Sequence, residues 1–226
     1  MATYDLEEQE QLDELKTWWK MYGNWVAGAI GVLAIAVVGV QGWSWWQRQQ
    51  ASEASVLYGG LQQAVTQQDA KRARDLAGEL IDKYGRTAYA AMGALLAAKI
   101  NVDQGESKTA RAQLQWAAEK GGDETLRALA RLRLAALLID EQAYDEALKA
   151  LAHDLPMPFQ ARQAELKADA LAASGKKAEA RAAYDTALER LAAAKKDGTD
   201  GRMDDGRHQA YRELIRVKRD ALGVTA

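Results

Sequence analysis

Between Lys20 and Arg48 the chain carries no charged residue, and its central part from Trp25 to Trp46 reads WVAGAIGVLAIAVVGVQGWSWW. At about 1.5 Å per residue, about 20 apolar residues cross the roughly 30 Å hydrocarbon layer of a bilayer. The run therefore predicts a transmembrane helix over residues 21–47. Trp18, Trp19 and Trp25 stand at one end of it and Trp43, Trp45 and Trp46 at the other, where amphipathic indole rings meet the headgroups. The core helix of a soluble protein gives no reason for tryptophans at both ends. A cleaved leader is the other reading, because Ser52 and Ala54 are small enough for a cleavage site. Leaders, however, begin with positive charge and have an apolar region of about 7–15 residues. This start is acidic and this run is longer, so the pattern predicts an uncleaved signal anchor.

From Ser52 onward apolar residues return at helical spacing, interrupted at Tyr84-Gly85-Arg86, Gln104-Gly105-Glu106, Gly121-Gly122, Asp154 to Pro158 and Ser174-Gly175-Lys176. Gly supplies the left-handed turn that ends a helix and Pro cannot continue one. The clearest unit is LKADALAASGKKAEARAAYDTALE, residues 166–189. Its Ala168, Leu171, Ala180, Tyr184 and Ala187 match the small and bulky positions of a tetratricopeptide hairpin. Counterparts of Ala180 occur at Ala147, Ala110 and Ala73, at spacings of 33, 37 and 37 residues, close to the 34 of that repeat. Residues 52–191 are thus expected to form three or four hairpins, with Ala at the helix crossings and Leu114, Trp116, Leu151 and Tyr184 between neighbours. The Gly-rich and charged residues 192–206 read as a linker, and residues 207–226, which recover helical spacing through Tyr211, Leu214, Ile215 and Leu222, as a C-terminal capping helix over the last hairpin.

Composition agrees with an all-α class: an N-terminal single transmembrane helix followed by a tetratricopeptide-like α-solenoid. The chain is 48% hydrophobic and 27% charged with only 2 prolines, enough apolar material for a core and few helix breakers. The charges nearly cancel, 30 basic against 32 acidic. The acidic excess lies in residues 1–20, a tail holding Asp5, Glu7, Glu8, Glu10, Asp13 and Glu14. No concentrated basic block is present, which argues against nucleic acid as a partner. The absence of cysteine excludes disulfides and thiol chemistry. Lys16, Lys20 and the terminal amine flank one end of the membrane segment and Arg48 alone the other, so the positive-inside rule favours a cytoplasmic tail.

Within the membrane segment Gly28, Gly31, Gly39 and Gly42 share a face about 80° wide at about 100° per residue, broken only by Ile35. Small residues on such a face let another membrane helix approach closely, although Gly is also common in membrane helices at large. These four are the candidate contact residues.

A catalytic constellation is missing. His153 and His208 are the only histidines, too far apart in sequence to suggest a metal site. His153, beside Asp154 before a Pro-containing loop, reads as a helix-terminal residue. Arg127 and Arg131, at i, i+4 spacing, read as a solvated face that could also border a groove. Asp204 and Asp205 fall in the linker. No enzyme, cofactor or metal is expected.

Taken together, the acidic tail with KTWWKMYGNW, the Gly-rich membrane helix, ASEASVLYGGLQQAV, YGRTAYAAMGALLAAK and LKADALAASGKKAEARAAYDTAL resemble the ancillary subunit of the SecYEG translocon, the YfgM family of Gram-negative bacteria. GTDGRMDDGR before the last helix departs from that pattern. The resemblance implies a single-pass inner-membrane protein with its repeat domain in the periplasm. It implies as partners the SecYEG translocon, the membrane-anchored periplasmic foldase PpiD and newly exported client proteins. An assembly factor for division or peptidoglycan synthesis would share all of these features except the translocon contact.

Overall fold

The computed structural model describes residues 4–196 and 205–223, and every regular element among them is an α-helix. The chain divides into two compact units, Met1–Gln50 and Ala51–Ala226.

Residues 4–50 of the first unit lie in helix α1 (Tyr4–Thr66). The apolar side chains in the middle of its charge-free run lie bare: Val32, Leu33, Ile35, Val38 and Val40 are all exposed, Ile35 by 75%. Only 6% of the most apolar window is buried, which distinguishes it from the core helix of a soluble domain. The flanking rings cluster, Trp43 against Trp46 at 5.2 Å and Trp18 against Tyr22 at 5.9 Å between centroids.

The second unit contains four helical hairpins among the described residues. The end of α1 pairs with α2 (Ala70–Tyr84), α3 (Ala88–Asp103) with α4 (Ser107–Lys120), α5 (Glu124–Asp140) with α6 (Tyr144–Ala150), and α7 (Met157–Ala173) with α8 (Lys177–Lys196). Helix α9 (Asp205–Asp220) is the last element. The same turn closes every hairpin. Gln68, Gly105, Gln142 and Gly175 have φ of 59°, 77°, 61° and 83°. Each donates its backbone N–H to the carbonyl three residues back, and the next residue donates to the carbonyl five back, as Gly175 to Ala172 at 3.0 Å and Lys176 to Leu171 at 2.9 Å. This pair of bonds satisfies the last carbonyls of the first helix. Two of these turns, at 67–69 and 141–143, lie where no interruption is expected from sequence.

The turn fixes the register of the second helix in each hairpin. Ala73, Ala110, Ala147 and Ala180 are each the fourth residue of that helix, and all four are fully buried. A methyl group there lets the two helices cross closely. Leu114, Leu151 and Tyr184 are buried as expected, and Trp116 is partly buried between the clusters of the first and second hairpins. The core is a succession of small clusters, three of them shared by adjacent hairpins and the last by the fourth hairpin and α9, as in a solenoid whose units cannot stand alone. Where α2 meets α3 the fit is tight: a Cβ on Gly93 would lie 2.9 Å from Leu80 Cδ1.

Arginines that directly succeed the crossing alanines reach forward. Arg74 pairs with Glu106 at 2.6 Å, Arg111 with Glu146 and Glu141, and Arg181 Nη1 donates to the carbonyl of Gly223 at 3.0 Å. Exposed pairs of this kind contribute little energy, but they repeat with the register.

Helix α8 continues to Lys196, into the stretch expected to be linker, because Ala192, Ala193 and Ala194 favour helix. The remaining linker residues 197–204, Asp204 included, lie outside the described residues, as do Met1 to Thr3 and residues 224–226. Helix α9 places Ile215 and His208 against the fourth hairpin, both buried, with Tyr211 and Leu222 beside them.

Candidate functional site

Four features bear on function. The first is the glycine face. A Cβ built on Gly28, Gly31, Gly39 or Gly42 would meet nothing within 4 Å. The face is open within this chain.

The second is a groove of about 360 Å³ between α3 and α5, lined by Leu95, Ala98, Val102, Ala136 and Leu137 with Lys99, Arg133 and Asp140 at its edge. Val102 keeps 43% of its surface exposed there. Arg133 Nη1 donates to the Leu95 carbonyl at 3.3 Å, and Lys99 is held by Asp103 at 2.7 Å. An apolar floor with a few fixed polar groups is the usual lining of a ligand site. The sequence alone does not reveal this groove, because its walls come from two hairpins.

The third is a polar cluster that ties α9 to the fourth hairpin. Glu165 is fully buried and accepts from Lys218 at 2.7 Å, Tyr211 at 2.5 Å and Arg162 at 2.5 Å. Asp169 accepts from Lys218 at 2.9 Å and from Tyr184 at 2.6 Å. Burial pushes the Glu165 carboxyl up, but the hydrogen bonds from Lys218, Tyr211 and Arg162 outweigh it and hold the group below its ordinary range. Burial together with the bond to Glu165 raises the Tyr211 phenol, and burial with the bond to Asp169 raises that of Tyr184. Every member donates to or accepts from another, and the group joins α9 to α7 and α8. Its chemistry is structural.

The fourth is the arginine and histidine side chains singled out from sequence. Arg127 donates to the Gly121 carbonyl at 2.7 Å and so closes the end of α4, while Arg131 borders a separate cleft with Lys149 and the exposed His153. The His153 carbonyl accepts from Gln163 at 2.6 Å. His208 Nε2 lies 3.2 Å from the Leu191 carbonyl, a packing role under α9. Among the described residues no group of three or more His, Asp or Glu side chains could hold a metal ion.

The tetratricopeptide repeat-like domain family matches residues 16–224, membrane segment included. Similar curated proteins carry one name. An ancillary SecYEG translocon subunit of Neisseria gonorrhoeae is 29% identical over 221 residues, 96% of this chain and 98% of that protein. One from Haemophilus influenzae is 32% identical over 81% of this chain and 90% of its own length, and one from Escherichia coli strain K12 is 30% identical over 80% and 87%. The long apolar helix and this kinship fit a single-pass inner-membrane protein. The chain belongs to the family of ancillary SecYEG translocon subunits, built on a tetratricopeptide repeat-like domain.

Proposed function

We propose that the chain is a membrane-anchored, non-catalytic scaffold at the SecYEG translocon that assists newly exported proteins in a chaperone-like manner beside a periplasmic foldase of the PpiD kind. The observation that carries this reading is the continuity of the kinship, since relatives named for the translocon align with anchor and repeats together, over 96% of this chain in one case. The acidic tail lies in the cytoplasm and the hairpins in the periplasm. The glycine face of residues 28, 31, 39 and 42 contacts a helix of the partner complex. The groove between α3 and α5 offers clients an apolar surface, and its size supports a short extended segment rather than a folded domain.

Photocrosslinking from the membrane helix in intact cells tests the translocon contact. Recovery of channel subunits supports it. Recovery of division or cell-wall enzymes instead would replace it with an assembly role elsewhere in the envelope. Protease added to spheroplasts tests the orientation, which requires loss of the hairpin domain and survival of a label on the tail.

A further inference from the structure

On the side of α5 opposite the apolar groove, two clefts succeed one another at the spacing of one repeat. The first, of about 450 Å³, lies among α4, α5 and α6 and is bordered by Arg131, Lys149 and His153. The second, of about 240 Å³, lies among the end of α6, α7 and α8 and is bordered by Lys167 and Arg190. They are the same feature of the fold. The closing turns at Gln142 and Gly175 are 33 residues apart, and with that offset Arg131, Leu134 and His153 of the first cleft correspond to Ala164, Lys167 and Thr186 of the second.

Basic side chains outnumber acidic ones on the borders of both clefts. Elsewhere in the domain Arg74, Arg162, Lys218 and Arg219 sit against carboxylates, and so does Arg111 at the edge of the first cleft. The side chains of Arg131, Lys149, His153, Lys167 and Arg190 have no ion-pair or hydrogen-bond partner among the described residues. Of the acids that border the clefts, Glu146 is already taken by Arg111, which leaves Glu119 and Asp154. Arginine is well suited to a carboxylate, which it binds through two parallel hydrogen bonds. Recessed sites separated by one repeat match an extended chain that presents acidic side chains at intervals. A flat layer of lipid headgroups does not reach into such recesses.

We propose that these paired clefts form a docking strip for an acidic, extended polypeptide segment. The strip is distinct from the apolar groove and does not depend on the translocon contact.

The test uses the full chain in mild detergent and a fluorescent peptide of consecutive glutamates, monitored by anisotropy, with a glutamine peptide for comparison. Saturable binding of the glutamate peptide is expected, weakening as salt is raised. The exposed pair Lys149→Glu, Lys167→Glu should weaken it by about tenfold and Arg131→Gln by somewhat less, while Lys71→Glu, Lys83→Glu in the first hairpin changes it by less than about twofold. Unchanged helical circular dichroism in each variant excludes misfolding as the cause. Absence of saturable binding, equal affinity for the glutamine peptide, or an equal loss in the first-hairpin control overturns the proposal. So does displacement of the peptide by soluble phosphatidylglycerol at lower concentration than by unlabelled peptide, which would assign the strip to lipid.

Discussion

Lys218 on α9 and Glu165 on α7 meet at 2.7 Å although 53 residues separate them in the chain. Glu165 is fully buried while Lys218 keeps 31% of its side chain exposed. Lys218→Met removes a donor from a carboxylate that has no access to water. A fully buried pair broken in this way costs about 3–5 kcal/mol. Screening at the exposed lysine, and the bonds left from Tyr211 and Arg162, reduce the expected loss to about 1–3 kcal/mol. Glu165→Gln in the same background should recover part of it, because a buried carboxylate left with Arg162 as its charged partner is replaced by a neutral group. Chemical denaturation monitored by circular dichroism measures both. A Lys218→Met chain as stable as the parent would mean that Ile215 and its apolar neighbours hold the cap unaided.

The same cluster sets a pH window. Glu165 is held below its ordinary value of 4.5, so its contribution is complete above about pH 4.5 and is lost as pH falls through the lower folded value. Tyr211 is raised above 10.0 and Lys218 above 10.5. Their contributions are complete below those values and are lost as pH rises through the folded ones. The melting temperature should therefore be flat between about pH 5 and 10 as far as this cluster is concerned, with an acid limb below. Glu165→Gln should flatten the acid limb. An unchanged limb in that variant would place the acid sensitivity elsewhere.

Gln68 and Gln142 hold the left-handed conformation that Gly105 and Gly175 hold in the other two turns. A side chain there costs about 1–2 kcal/mol against the following carbonyl, partly offset because Gly loses more chain entropy on folding. Gln68→Gly and Gln142→Gly should each stabilise the domain by up to about 1 kcal/mol. Gly105→Ala and Gly175→Ala should each destabilise it by about 1–2 kcal/mol. Each turn makes its pair of backbone bonds within its own hairpin, so the effects should add. Thermal unfolding of the four variants decides, and a loss in the two Gln variants would show that those side chains serve the turn.

These turns also explain how far the fold is legible in the sequence. Gly105 and Gly175 announce their turns because glycine is the residue that tolerates the conformation, whereas glutamine at 68 and 142 carries no such mark. The alanine register is legible all the same, since Ala73, Ala110, Ala147 and Ala180 must be small wherever helices cross. The membrane segment is legible because lipid imposes length and apolarity on a single continuous stretch. Glu165 is not, because its partners Tyr211 and Lys218 come from a helix far along the chain, and a lone Glu in a polar helix looks like solvated surface. The groove at Leu95 and Leu137 and the paired clefts stay hidden for the same reason. Each is made by juxtaposing hairpins, and an amphipathic pattern says which face is buried but not which buried faces leave a gap.

The glycine face gives the sharpest test of the membrane contact. If Gly28, Gly31, Gly39 and Gly42 meet a partner helix, Gly31→Leu with Gly39→Leu places bulk where backbones must approach, and removes the small-residue surface on which association depends in lipid. A Cβ at either position has no atom within 4 Å, so the variant should fold as the parent does. Insertion should not suffer, because leucine is at least as favourable as glycine in the bilayer centre. Translocon subunits co-purified in mild detergent at matched expression should fall by about tenfold, equivalent to about 1.4 kcal/mol of association. Leu33→Ile, on another side of the helix, should leave recovery unchanged. Recovery undiminished in the double variant would remove the glycine face from the interaction and leave the hairpins or the acidic tail to carry it.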